Sequence, residues 1–375
     1  MTPQNTTELR ARTAAALRSE TSRAAQLTTF VGLDGFVDEI IDVVDKRQDV
    51  SHYERIPTIA SLGARIAEAA GRSTNIELVN RRTKLGGNGP IMANALASFG
   101  LNTTYVGTLG YPNLHPVFTE FSHRAKVISI GEPGHTDALE FEDGKLMLGK
   151  MYPLAEVTWE NLNARAGHDT LARHIQNTSL LAFVNWTMLP HMSTIWERML
   201  TESLPAVTGK RRWMFFDLAD PAKRTRQDLL HALELIHKFN TKFKVILGLN
   251  EKEAFEVGEA LGYPLPDASP AGLAGLSQRI AEKVAVETLV VHPVSYALAV
   301  TGGQVSMVSG PRITKPLITT GAGDHFNAGF CLGKLFGLDD ASSVLTGVTT
   351  SGYYVRTATT PGVLDLAGMM DNWPS

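Results

Sequence analysis

The sequence predicts a three-layer α/β/α fold, with a mostly parallel central sheet between two helical layers and a small β lid. Three observations carry this expectation. Seven short, nearly all-apolar segments of strand length alternate with helically patterned stretches, as in parallel sheets buried on both faces. Glycine is abundant, at 33 of 375 residues, which suits many tight strand-to-helix turns. One stretch breaks the alternation and reads as an antiparallel hairpin.

The elements follow in chain order. Residues 1–28 predict a helical extension, because Leu9, Leu17 and Leu27 are widely spaced among alanines and four arginines interrupt any apolar run. That pattern lacks the apolar region of a secretory signal, and Glu8 and Glu20 count against the alternative of a transit peptide. The strand candidates are Phe30–Leu33, Thr104–Gly107, Lys126–Ile130, Leu180–Trp186, Trp213–Leu218, Lys244–Leu249 and Thr288–His292. Helical stretches fall at 58–71, 89–99, 159–176, 221–239, 250–261 and 271–285. No repeat of solenoid length is present. The lid comes from 138–148, ALEFEDGKLML, where Leu139 and Phe141 alternate before an Asp143-Gly144 turn signal and Leu146 and Leu148 resume after it. The stretch 40–47, IIDVVDKR, supplies another lid strand. The expected organisation is one domain over 29–358, with 359–375 as a C-terminal tail.

Composition removes several classes of function. A hydrophobic fraction of 43% with 19% charged residues is that of a globular chain, not a disordered one. No run approaches the ~18 apolar residues of a membrane span. The net charge of −3 argues against nucleic acid and anionic membranes as partners. Cys331 is the only cysteine, so no internal disulfide or cysteine-rich zinc site forms, which fits a cytoplasmic protein. Histidines 115, 123, 135, 191, 292 and 325 lack metal-ligand spacing.

The segment Thr319–Phe330, TTGAGDHFNAGF, is the most informative. A glycine turn entering a helix aims unpaired N–H groups and the positive end of the helix dipole at one spot, an arrangement suited to phosphate. Gly321, Ala322 and Gly323 are placed in that turn, and Gly323 is expected to need a positive φ. Asp324, in the first helical turn, stands where a carboxylate can take a proton from an attacking hydroxyl. The bland alternative is an ordinary helix start. Gly209-Lys210-Arg211 and Gly333-Lys334-Leu335 both fail the Walker pattern, and Phe326 breaks the dinucleotide fingerprint.

Four further segments leave a strand for a helix or turn. In KLGGNGPIMANALASFG, Gly86 and Gly87 permit close backbone approach, and Asn88 offers both a donor and an acceptor to hydroxyl groups. In FVGLDGFVDE, Asp34 and Asp38 follow a strand, and carboxylates at strand ends can grip sugar hydroxyls; two turn aspartates are the alternative. In GLNEKE, Asn250 and Glu253 are read either as a capping box or as organisers of water around Mg²⁺. In FFDLADPAKR, Asp220 before Pro221 reads as an N-cap, so Asp217 and Asp220 are left out of the site.

Taken together, these segments resemble the ribokinase-like (pfkB) family of carbohydrate kinases over residues 29–358. Thr319, Gly321, Ala322, Gly323, Asp324, Gly329 and Phe330 match the signature D-T-x-G-A-G-D and its later G-F, with Ile318 at the first Asp. Gly86, Gly87 and Ala93 match G-G-x-x-x-N-x-A, with Ile91 at the Asn. Asn250 and Glu253 match N-x-x-E, an element linked to magnesium and phosphate. Asp38 resembles the family's sugar-binding aspartate, one residue further from Gly32 than in most members and closer to the ADP-dependent cousins.

The resemblance implies a ribokinase-like fold, Asp324 as catalytic base and the three-residue glycine turn as anion hole. The implied activity is Mg²⁺-dependent phosphoryl transfer from a nucleotide, ATP with ADP as the alternative donor, to a hydroxyl of a sugar-like substrate. A nucleoside kinase and a non-catalytic sugar- or nucleotide-binding regulator are the competing readings. A monovalent cation is left open as a further cofactor. The hairpin 138–148 is expected to cover a pocket holding Asp34, Asp38 and Asn88. It needs a partner surface, which either strand 40–47 or the lid of a second subunit in a homodimer would provide.

Overall fold

Side chains alternate between two apolar layers along each central strand, and this makes the sheet the middle of the molecule. Phe30, Leu181 and Phe183 pack into one core, while Val31, Leu180 and Ala182 pack into the other. The computed structural model describes residues 2–374. In chain order its strands are β1 (Thr28–Leu33), β2 (Phe36–Arg47), β3 (Tyr53–Arg55), β4 (Leu78–Gly86), β5 (Asn102–Gly107), β6 (Lys126–Ser129), β7 (Gly134–Phe141), β8 (Gly144–Lys150), β9 (Leu180–Phe183), β10 (Arg212–Asp217), β11 (Phe243–Asn250), β12 (Thr288–His292), β13 (Tyr296–Thr301) and β14 (Gln304–Ser309).

All seven sequence-derived strands lie in one nine-stranded sheet of order β14-β13-β12-β11-β10-β9-β1-β5-β6. It is parallel from β12 to β6, and β13 and β14 add an antiparallel edge. That edge was not anticipated, although Gly302-Gly303, both at positive φ, is a hairpin signal.

The helices divide between the faces. Arg226–Phe239, Glu251–Ala260 and Pro270–Val284 bury their apolar sides in one core. Asn88–Ser98, Ala322–Leu335 and Asp340–Thr357 do so in the other. The stretch read as one helix over 159–176 is interrupted by a wide turn at Asn163–Gly167, where Gly167 has φ 85°. The stretch read from 221 becomes α-helical only at Arg226, capped by Thr225 Oγ1 accepting from the Asp228 amide at 3.1 Å. Asp220 is therefore not the expected N-cap: its backbone is left-handed at φ 63° and its side chain caps nothing.

The C-terminal end of the chain also differs from expectation. Residues 359–375 contain the helix Val363–Asp371, with Val363, Leu366, Ala367 and Met370 buried. It packs against the N-terminal helix Thr7–Glu20, whose Ala14 and Leu17 enter the same core. Neither segment is an appendage. Each supplies apolar surface that the outer face of Asp340–Thr357 would otherwise leave wet.

The lid is a second sheet built around β2, which pairs in parallel with β7 and antiparallel with β3 and β4, while β8 forms the other edge. Strand 40–47 of the same chain thus provides the hairpin's partner, with Ile40 opposite Ala138 and Ile41 opposite Leu139. The turn tip is Glu142-Asp143, one residue earlier than read, because Phe141 pairs with Gly144. Ile41, Val43, Ile56, Leu62, Leu139 and Phe141 make a separate small core, which the helix Ile59–Glu68 covers. Among the described residues, no helix is long and apolar enough to cross a membrane.

Leu366 is fully buried, so Leu366→Ala is expected to destabilise the whole domain by about 2–5 kcal/mol. Urea unfolding should show this as a lower midpoint in a single transition. An unchanged midpoint would mean that the C-terminal helix is not part of the core.

Candidate active site

β1 lies where the sheet order reverses: the chain proceeds to β5 and β6 on one side and to β9 through β12 on the other. In open parallel sheets the crevice beyond the carboxyl ends at such a point is where ligands bind. Asp34 follows β1 there. Its Oδ2 accepts from the Asn88 amide at 3.0 Å and from Asn185 Nδ2 at 2.7 Å, and its Oδ1 accepts from the Gly89 amide at 2.9 Å. Burial pushes Asp34 up to about 6, and these donors pull against that rise. The expected grip of Asp34 on substrate hydroxyls is thus corrected. The carboxylate is fully buried and acts as the missing cap of the helix Asn88–Ser98, whose N-cap, Gly87, has no side chain.

Asp38, on β2, does face the crevice. Burial raises its pKa, and Lys84, 4.0 Å away on the paired strand β4, counteracts the rise. A Cβ on Gly86 would lie only 2.3–2.6 Å from the Asp38 carboxyl group, so this position accepts only glycine. Gly87 has φ 92°, which again favours glycine.

Asp324 sits on the facing element, in the first turn of Ala322–Leu335. Asn88 Nδ2 donates to its Oδ1 at 2.9 Å, joining the two helix N-termini. Burial pushes Asp324 up to about 8, opposed by the Asn88 hydrogen bond and reinforced by the charges of Asp34, Glu253 and Asp38. Gly321 is the N-cap at φ 90° and offers no capping side chain. The amides of Gly323 and Asp324 have no acceptor among the described residues, so this N-terminus remains open to an anion. The expectation of positive φ thus belongs to Gly321, whereas Gly323 is helical and a Cβ there would meet His292 Cε1 at 3.1 Å. Ile91 occupies the space beside Gly321, 3.2–3.3 Å from where its Cβ would be.

These residues enclose a cavity of about 270 Å³. Its polar side chains are Asp38, Asn88, Thr136, Asn185, Lys223, Thr320 and Asp324, and Phe36 is its one aromatic. The lid supplies Thr136, Met147 and Gly149, of which Met147 alone comes from 138–148, and the pocket holds Asp38 and Asn88 but not Asp34. Lys145, on β8, donates from Nζ to Thr319 Oγ1 at 3.2 Å and to Thr320 Oγ1 at 2.5 Å, tying the lid to the loop before Gly321.

Asn250 and Glu253 form the capping box: Asn250 Oδ1 accepts from the Glu253 amide and Glu253 Oε2 from the Asn250 amide, each at 2.9 Å. Glu253 Oε1 also accepts from the Asp220 amide at 2.8 Å. Beside them lies Asp217, which the sequence reading left out. It is buried, accepts from Asn327 Nδ2 at 2.9 Å, and is pushed well above the carboxylate range by burial and by the charges of Glu253 and Asp324. Its position at the carboxyl end of an apolar strand was the available signal, the same one that marked Asp34. Asn185, Thr136, Lys145 and Lys223 were also missed. Only Asn185 carried a local cue, a residue tolerant of its left-handed φ of 62°.

The sequence model of the prokaryotic ketohexokinase family matches residues 5–373, which include both terminal helices. A ketohexokinase of Haloferax volcanii is 29% identical over 332 residues, covering 88% of this chain and 87% of that protein. Among solved structures, a carbohydrate kinase from Agrobacterium tumefaciens superposes with a TM-score of 0.62 at 16% identity, covering 93% of this chain and 98% of the other. Arabidopsis thaliana ribokinase, solved with ribose and ATP, gives 0.59 at 14% identity, covering 92% and 98%. The fold is ribokinase-like.

Two outcomes follow from this geometry. Asp324 keeps its proton in the folded state up to about 8, whereas the unfolded carboxyl ionises near 3.8. The folded form therefore binds more protons between these values, and stability is expected to fall as pH rises from about 4 to about 8. Asp324→Asn should flatten that slope in denaturation curves taken across the range, and an unchanged slope would assign it to other groups. Acceptor binding should slow hydrogen exchange in residues 134–150, since closure protects the lid strands. An acceptor that turns over without changing exchange there would remove the lid from the mechanism.

Proposed function

This chain belongs to the prokaryotic ketohexokinase family and is a carbohydrate kinase, and on that premise we propose that it transfers the terminal phosphoryl group of ATP to a hydroxyl of a ketohexose. The observation that carries the proposal is the Asn88–Asp324 contact at the floor of the small polar cavity, beside the open N-terminus of Ala322–Leu335. At about 270 Å³ the cavity falls below the ~300 Å³ at which common ligand pockets begin, which suits a single sugar. The likeness to the Haloferax ketohexokinase favours a ketohexose within that class. A nucleoside acceptor would call for an aromatic-lined pocket, and Phe36 alone does not provide one.

In this reading Asp38 and Asn88 orient the sugar hydroxyls and Asp324, in its ionised form, receives the proton of the attacking one. The hydroxyl oxygen bonds to the terminal phosphorus as the bridging P–O bond breaks, and the leaving group is ADP. The amides of Gly323 and Asp324 stabilise the charge on the transferred group, a task that in phosphoryl transfer is mostly positioning and electrostatics. The lid keeps water, a competing acceptor, out of the cavity. Asp217, Glu253 and Asn250 suit Mg²⁺ held through water: burial and the Glu253 charge push Asp217 well above the carboxylate range, and the buried Asn327 Oδ1 beside them has no partner. When bound, Mg²⁺ would neutralise charge on the donor phosphates.

A panel of ketoses, aldoses and nucleosides, each assayed with ATP and ADP and with and without EDTA, tests the proposal. Ketohexose turnover with ATP, abolished by EDTA, is the expected result, and preference for a nucleoside or for ADP would overturn it. Asp38→Ala should raise the acceptor KM about ten- to a hundredfold, the worth of a charged hydrogen bond. Asp324→Asn should lower kcat by about 10²–10⁴ with the acceptor Kd preserved.

A further inference from the structure

The loop that ends at Gly321 leads into the open amides of Gly323 and Asp324, and its own carbonyls also need partners. A buried carbonyl needs either a hydrogen-bond donor or a cation. The His325 amide donates to the Gly321 carbonyl at 3.1 Å, and two side chains add further donors, Tyr354 from the helix Asp340–Thr357 and His325 from the first turn of Ala322–Leu335. Tyr354 OH donates to the Thr320 carbonyl at 3.1 Å, and His325 Nδ1 lies 2.7 Å from the Gly321 carbonyl. The two rings stack, with centroids 3.7 Å apart and planes 12° from parallel. Neither ring lines the acceptor cavity; both line a separate cavity of about 860 Å³ behind the loop.

The protonation states are defined by the surroundings. Burial pushes His325 down to about 4, so the imidazole is neutral with one N–H. The Gly321 carbonyl can only accept, which puts that hydrogen on Nδ1. Nε2 is then the acceptor for the Thr360 hydroxyl 3.0 Å away. Burial also pushes Tyr354 up to about 12, which keeps it a donor at any working pH.

We infer that the stacked His325–Tyr354 pair is a positioning clamp for the turn that leads into the anion hole. The pair holds two successive carbonyls, those of Thr320 and Gly321, and so fixes the peptide planes immediately before the open amides of Gly323 and Asp324. Neither residue lines the acceptor cavity, so the clamp governs phosphoryl transfer and not sugar binding.

The test rests on the kinase reading but not on the identity of the sugar, since it uses whichever acceptor the wild type prefers in the panel. Tyr354→Phe keeps the ring and the stacking and removes only the hydroxyl. It is expected to lower kcat about ten- to a hundredfold, somewhat less than losing an oxyanion-hole donor outright, with the acceptor Kd from calorimetry unchanged. His325→Asn, which keeps a donor near the Nδ1 position, should retain more kcat than His325→Leu. Wild-type kcat in Tyr354→Phe, or parallel loss of kcat and acceptor binding, would each overturn the inference. If His325→Leu does not fold, Tyr354→Phe decides the matter.

Discussion

The site depends on one buried carboxylate. Asp34 takes the Asn88 and Gly89 amides and the Asn185 side chain, and so ties the end of β1 to a helix start and to the segment after β9. Gly87 cannot cap that helix, so without Asp34 two of its amides would be buried and unpaired. Asn88 is held by its backbone in this way, which leaves its side chain free to reach Asp324. Asp34 thereby sets the distance between the cavity and the open N-terminus of Ala322–Leu335.

Around this anchor the protein collects more negative charge than its burial readily tolerates. Asp217, Glu253 and Asp324 are all pushed above their ordinary pKa values, first by burial and then by neighbouring carboxylates. The protein offsets this with helix N-termini and backbone amides: Glu253 takes two amides, and Asp324 sits in the first turn of its helix. A site built this way favours cationic ligands beside an open anion hole, the combination that a nucleotide and its metal bring.

Separate elements supply the two halves of the chemistry. The parallel sheet sets the floor rigidly, because its strands are buried between two cores. The lid has its own small core and joins the floor through a few contacts, such as Lys145 on Thr319 and Thr320. Strong packing below and sparse contacts above allow the cover to move while Asp324 and the anion loop stay in place.

The sequence by itself determined the layers, the seven parallel strands, the lid hairpin and the anion turn, because each is a local matter of apolar periodicity or glycine placement. It also marked Asp38, Asn88 and Asp324, each of which follows a strand or a glycine turn in the sequence. Only the tertiary structure decided the rest. Asp34 and Asp38 look alike in sequence, yet one is sealed inside by the Asn88, Gly89 and Asn185 donors and the other opens to the cavity. Asp217 looked like a turn residue until Glu253 and Asp324, distant in the chain, came to lie beside it. The C-terminal segment read as a tail because the helix that buries it lies some 350 residues away, between Thr7 and Glu20. In each case the deciding partner is remote in sequence, and burial and charge depend on that partner rather than on the residue's neighbours along the chain.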